Sequence, residues 1–195
     1  ETLKHMGPLL GTEDNEPIRV TMFNNVKEML DALPPGSATV GRELVTEGQA
    51  FSEMGTLLTL GSGQLAEGTA SHEMMHILVY RASQCTSCVP SWLNEGLAEY
   101  GNIAPGYSYD IALDFAIETE RLMPFTSMSS TPGNPEAAII FYGQSRSMVR
   151  MLIQEFGAEK MRELMEKLET GRRPDRVIQS VYGLSLPQLD DVWRQ

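Results

Sequence analysis

The alternation of apolar and polar positions divides the chain into a region of short strands followed by a succession of helices. Pro17 to Phe23 alternates and is β-branched, which predicts a strand. Asn24 or Asn25 can cap a short helix over Val26 to Leu33, which Pro34-Pro35-Gly36 ends. Ala38 to Val45 is a second predicted strand, and Gly55 to Gly61, bounded by glycine, is a third. Residues 1–16 are polar with scattered Gly, Pro and acids and read as a loose lead-in. The period then changes. Met74-Met75-His76-Ile77-Leu78-Val79-Tyr80 is apolar nearly all round, the pattern of a buried helix. Beyond Gly101, Ser108 to Met123 is a helix candidate and Thr126 to Asn134 a Ser/Pro/Gly-rich loop. Asn134-Pro135-Glu136 supplies a cap, an N1 proline and a first-turn acid for a helix to about Phe156. Gly157 stops that helix and Gly143 weakens its middle. Met161, Leu164, Met165 and Leu168 mark a helical stripe over Ala158 to Thr170. Two short helices close the chain, Pro174 to Tyr182 and Leu186 to Trp193, the second preceded by Ser185-Leu186-Pro187-Gln188 with capping-box spacing.

Strands followed by helices predict an α+β fold. At 195 residues the chain suits one domain, with room for two subdomains around a cleft. Its 42% hydrophobic and 21% charged residues fit a soluble globular protein. The net charge of −11 argues against nucleic acid and anionic membrane surfaces as partners. No apolar run approaches the roughly 18 residues of a membrane helix. The start at Glu1 reads as a processed or trimmed chain. The twelve Met read as core filler.

The candidate chemistry sits in His72-Glu73-Met74-Met75-His76. On a helix, His72 and His76 share one face, with Cβ atoms roughly 5–6 Å apart. Two imidazoles can therefore meet one zinc ion at about 2.0–2.1 Å. Glu73 follows His72 by about 100° around the helix, so its carboxylate can approach the metal side without binding the metal. That is the place for a base acting on zinc-bound water. An ordinary polar face is the alternative, but polar groups in so apolar a helix need partners, at a cost of roughly 1–3 kcal/mol each if unpaired. A metal supplies the partner. His5, the one other histidine, lies in the polar lead-in, and Val79 and Ala82 stand where the metzincin pattern needs Gly and His. The third ligand is then a carboxylate or Cys.

Downstream lies Trp92-Leu93-Asn94-Glu95-Gly96-Leu97-Ala98-Glu99-Tyr100. Paired with His-Glu-x-x-His, this run resembles the gluzincin metallopeptidases, and most of all the peptidase MA-like group. The resemblance is firm over roughly 65–101 and looser over 135–195. It implies a zincin-like α+β fold over the whole chain. A small mixed sheet in 1–64 would pack on the His72 helix, 65–101 would form a zinc-binding helix pair, and 102–195 would be helical. It makes Glu95 the third ligand, nineteen positions after His76, with one Zn2+ per chain. Glu99, one turn after Glu95, would then accept from a ligand imidazole N–H, a surface or salt-bridged acid being the alternative. Asn94 reads as a packing or capping residue. A strand near the third predicted one edges the cleft in gluzincins and takes substrate backbone as an added strand; an interior strand is equally open here. The aminopeptidase Gly-x-Met-Glu-Asn signature is missing, since Ser52-Glu53-Met54-Gly55 does not match it.

The function implied is zinc-dependent hydrolysis of peptide bonds in peptide or protein substrates, as an endopeptidase. Glu73 would serve as base and then proton donor to attack by zinc-bound water. A second electrophile must come from Tyr or Arg, because no histidine is spare. Tyr142 is the candidate by resemblance, with Tyr100, Tyr107 and Tyr109 behind it and a core tyrosine as the alternative. The competing reading is a catalytically silent peptidase-like module kept for binding or regulation; the presence of Glu73 speaks against it. Cys85 and Cys88 cannot complete a zinc site by themselves. They read as a small disulfide pinning the loop between the two motif helices, which implies a secreted or otherwise extracytoplasmic protein; two free thiols are the alternative. Nothing in the sequence sets an oligomeric state.

Overall fold

The computed structural model describes residues 1–12, 16–34, 47–85, 87–106 and 108–195. The predicted strand over Ala38 to Val45 falls outside the described residues. The fold is α+β. Strands β1 (Arg19–Phe23), β2 (Gly48–Phe51) and β3 (Thr56–Leu60) form a mixed sheet in the order β1-β3-β2. β1 runs parallel to β3, with Arg19 opposite Thr56, and β2 runs antiparallel to it, with Gly48 opposite Thr59. The third predicted strand is therefore interior. Among the described residues, the strand that lines the cleft is β2, a four-residue segment too short for its alternation to stand out.

Successive side chains of β3 point to opposite faces. Leu58 packs with Met29 and Leu33 beneath α2 (Val26–Asp31), whose first turn is capped as expected by Asn25 accepting from the Glu28 N–H at 3.0 Å. The 21-residue helix α3 (Gly63–Ser83) packs against β3 and β2. Helix α4 (Ser91–Tyr100) follows α3 through a loop in which Cys85 and Cys88 form a disulfide.

The lead-in is not loose. Thr2–Leu10 forms α1, which packs on α3, and its Met6 and Leu10 enter the main core. Gly7 and Pro8 argue against a helix locally, at roughly 1 and 3 kcal/mol. Burying Met6 and Leu10 contributes about 1.5–3 kcal/mol each and offsets that cost. The core beneath is built from Met75 and Leu78 of α3 with Trp92, Leu93 and Leu97 of α4. Against them lie Phe141, Met148 and Leu152 of α6 (Pro135–Leu168). Met29, Met75, Met128, Met148, Met161 and Met165 are completely buried, as the core-filler reading expects, whereas Met22 and Met54 are exposed.

Helix α6 starts at its Asn134 cap and breaks at Gly157, where φ is 82°. Its predicted weak point behaves differently. Gly143 is buried, and a Cβ there would collide with the Tyr109 carbonyl of α5 (Ser108–Glu118). The glycine thus serves the approach of two helices, a requirement outweighing the ~1 kcal/mol propensity cost of an interior glycine. The closing helices α7 (Pro174–Tyr182) and α8 (Leu186–Trp193) occupy the predicted spans, and Ser185 and Gln188 complete the capping box. No helix among the described residues is long and apolar enough to cross a membrane.

Candidate metal centre

The four-residue spacing of His72 and His76 on α3 brings their Nε2 atoms to 3.2 Å of each other. Helix α4 delivers Glu95 to the same point, its Oε2 lying 3.4 Å from His72 Nε2 and 3.7 Å from His76 Nε2. These three are the His/Cys/Asp/Glu group among the described residues that could hold a metal ion.

The outer ring nitrogens decide what the inner ones are. His72 Nδ1 lies 2.7 Å from Glu99 Oε1, and His76 Nδ1 lies 3.0 Å from Asn94 Oδ1. Both partners are oxygens that accept, so each Nδ1 donates its proton, and in the neutral rings each Nε2 is left as a bare lone pair. Two lone pairs and a carboxylate oxygen then converge on one point. Glu95 Oε2 is buried there with no hydrogen-bond partner among the described residues. Tetrahedral zinc with ligand distances near 2.0–2.1 Å separates its ligand atoms by roughly 3.3–3.4 Å. The observed triangle fits that size and donor chemistry.

Electrostatics describe the same demand for positive charge. Burial opposes the charged form of His72, but the Glu95 and Glu99 carboxylates outweigh it and lift the imidazole to about 10. Burial likewise works against ionised Glu95, yet His72 and His76 hold its carboxyl below the ordinary range. Glu73 shifts the other way. Burial raises its carboxyl above the usual value, against the pull of both imidazoles and a hydrogen bond from the Ala50 backbone.

That hydrogen bond ties β2 to the site. A Cβ on Gly48 would stand 2.6 Å from Thr69 Cγ2 and 2.7 Å from Glu73 Cγ, so strand and helix meet here at van der Waals distance. Gly48, Ala50, Glu73 and Tyr142 line a cleft of about 330 Å³ around the cluster. The Tyr142 ring centroid is 6.3 Å from that of His72, and the Tyr109 ring is 5.4 Å from Tyr142. Burial first, then the nearby Glu carboxylates, push both hydroxyls up, Tyr109 to about 12, so both remain O–H donors. Tyr100 instead packs against the main core, and Tyr107 lies outside the described residues.

Thus His72, Glu73, His76, Glu95, Glu99 and Tyr142, singled out from the sequence, are brought together. Two participants were missed. Asn94 reads locally as a capping residue but faces His76, and its place directly before Glu95 on α4 was the available signal. Gly48 carried no signal, because its role exists only through contact with residues some twenty positions away.

A model of the Peptidase MA superfamily matches residues 1–195. No curated protein and no solved structure matches the chain.

Proposed function

Since the chain belongs to the Peptidase MA superfamily, a group of typically metal-dependent peptidases, we propose that it is a zinc peptidase that cuts within peptide chains. The observation that carries this is the convergence of His72 Nε2, His76 Nε2 and Glu95 Oε2, the last with no hydrogen-bond partner among the described residues. These three side chains would hold the ion, with Glu99 and Asn94 orienting the imidazoles. Zinc in that place supplies Lewis acidity, polarising a substrate carbonyl and acidifying water in the cleft.

The protein's own groups do the rest. Glu73, half-buried beside the cluster with its carboxyl already shifted upward, takes a proton from the attacking water and passes it to the leaving amine. The Tyr142 hydroxyl, with Tyr109 beside it, donates to the oxyanion that develops on the scissile carbonyl. β2 lines the cleft beside Glu73, and the gluzincin resemblance makes a strand in this neighbourhood the one along which substrate main chain would lie. The aminopeptidase Gly-x-Met-Glu-Asn signature is missing from the sequence, which supports an endopeptidase over an aminopeptidase. The Cys85–Cys88 disulfide supports an extracytoplasmic setting.

Purified protein should contain one zinc per chain by elemental analysis and cleave unfolded protein substrates. A chelator should stop cleavage and added zinc should restore it. Full activity in the metal-free chain, or a zinc-loaded chain inert towards a broad peptide panel, would overturn the reading; the second result would favour a silent binding module.

The orienting partners give a graded test. Glu99→Ala should weaken zinc binding roughly 10- to 100-fold in a chelator competition, because the His72 ring loses the acceptor that fixes its tautomer. Asn94→Ala should act in the same direction through His76. Unchanged affinity in both variants would remove these residues from the site.

A further inference from the structure

The cleft around the metal-ligand cluster continues into a second lobe of about 520 Å³, and Gly48, His72, Glu73 and Tyr142 line both. This lobe is acidic. Glu47 stands exposed in its lining, its backbone carbonyl accepting from the Leu60 N–H at 2.8 Å just before β2. Glu99 also lines the lobe and is only 2% exposed. Its Oε1 meets His72 Nδ1 at 2.7 Å, while its Oε2 has no hydrogen-bond partner among the described residues. Among those residues no Lys or Arg lines the lobe, and neither acid is ion-paired with one. A divalent ion on the cluster would be balanced by Glu95 and ionised Glu73, which leaves the charges of Glu47 and Glu99 uncompensated. Burial, and then the charges of Glu99, Glu95 and Glu47, push the hydroxyl of Tyr109 up to about 12, so a negative potential reaches the tyrosine wall of the lobe.

We propose that this lobe selects substrates carrying a cationic side chain, Lys or Arg, close to the scissile bond. The selection rests on the peptidase reading above and adds the substrate class to it. An ammonium or guanidinium beside uncompensated carboxylates gains Coulomb energy that a neutral side chain lacks, and an acidic side chain is repelled. Glu99 supplies a fixed charge within the wall, and Glu47 supplies one that an incoming side chain can reach. The methylene stem has apolar surface to lie along at Ala104 and at Leu65, which is 83% exposed. The lining shared with His72 and Glu73 places the occupant next to the bond being cut. The net charge of −11 draws cationic substrates towards the protein from a distance.

The test uses zinc-loaded protein and quenched fluorogenic peptides that differ at one residue, varied in turn on each side of the cleaved bond. At one position, Lys or Arg should exceed Gln in kcat/KM by roughly 3- to 10-fold, with Glu below Gln. That preference should shrink as ionic strength rises from about 0.02 to about 0.5 M, because the carboxylates are screened. Glu47→Gln should remove most of the Lys-to-Gln preference, and Glu47→Lys should turn it in favour of the Glu peptide. Parental thermal melting and zinc content will show that both variants fold. A parent indifferent to side-chain charge at every position, or Glu47 variants that keep the parental preference, would overturn the cationic selection while leaving the peptidase reading intact. A parent that cleaves none of the peptides would overturn both.

Discussion

Replacing Glu73 by Gln is expected to lower peptide hydrolysis by about 10²- to 10⁴-fold, the usual contribution of a positioned acid–base group, while the protein keeps its zinc. Gln has nearly the same shape, and its amide oxygen can still accept from the Ala50 backbone, so β2 and α3 should stay together. What disappears is a carboxylate able to take a proton in one step and return it in the next. The loss should therefore fall on kcat, with KM little changed. His72, His76 and Glu95 do not depend on this group for position, so zinc content by elemental analysis should match the parent. Parental kcat in Glu73→Gln would remove Glu73 from the chemistry. Loss of zinc together with activity would mean that the carboxylate supports the metal rather than the reaction.

Gly48→Val should reduce turnover by about 100-fold or more without touching any ligand-bearing helix. The added Cβ would come within 2.6–2.8 Å of Thr69 Cγ2, Glu73 Cγ and Glu73 Oε1, closer than real side-chain carbons approach. Something must move, and β2 is pinned to β3 from Gly48 to Phe51. The freer partner is the Glu73 side chain, and a misplacement of about 1 Å can cost about 100-fold in rate. Overpacking should also lower stability by about 1–3 kcal/mol, visible in a denaturant melt. Zinc content should remain at one per chain, because the cluster is built by α3 and α4 alone. A fully active Gly48→Val protein would show that β2 does not stand against the general base in solution.

Several features were legible because neighbouring residues encode them. The i,i+4 spacing of His72 and His76 determines that both rings share a helix face, wherever that helix packs. Asn25, Asn134 and Ser185 announce their helices through caps, because a cap uses only residues within one turn. The span of α7, the break at Gly157 and the stripe beginning at Met161 follow from equally local rules. Glu95 was legible through resemblance, since nothing in its immediate surroundings says which metal it would face.

Other features required the assembled protein. Thr2–Leu10 carries Gly and Pro and looks like a loop until Met6 and Leu10 reach the core. β2 is too short to show alternation, and its position at the cleft depends on pairing with β3. Asn94 is a capping residue by composition and a partner of His76 only once α4 lies along α3. Tyr100 and Tyr109 are alike as residue types, yet one packs against the core and the other lines the cleft, because α5 crosses α6 at Gly143. The sequence by itself determined that His72 and His76 share one helix face with Glu73 beside them, since that follows from residue type and helical spacing, while Glu95 and Glu99 came through the resemblance. The tertiary structure alone decided that Asn94 faces His76 and that β2 lies against Glu73, because such contacts join residues far apart in the chain and arise only from packing.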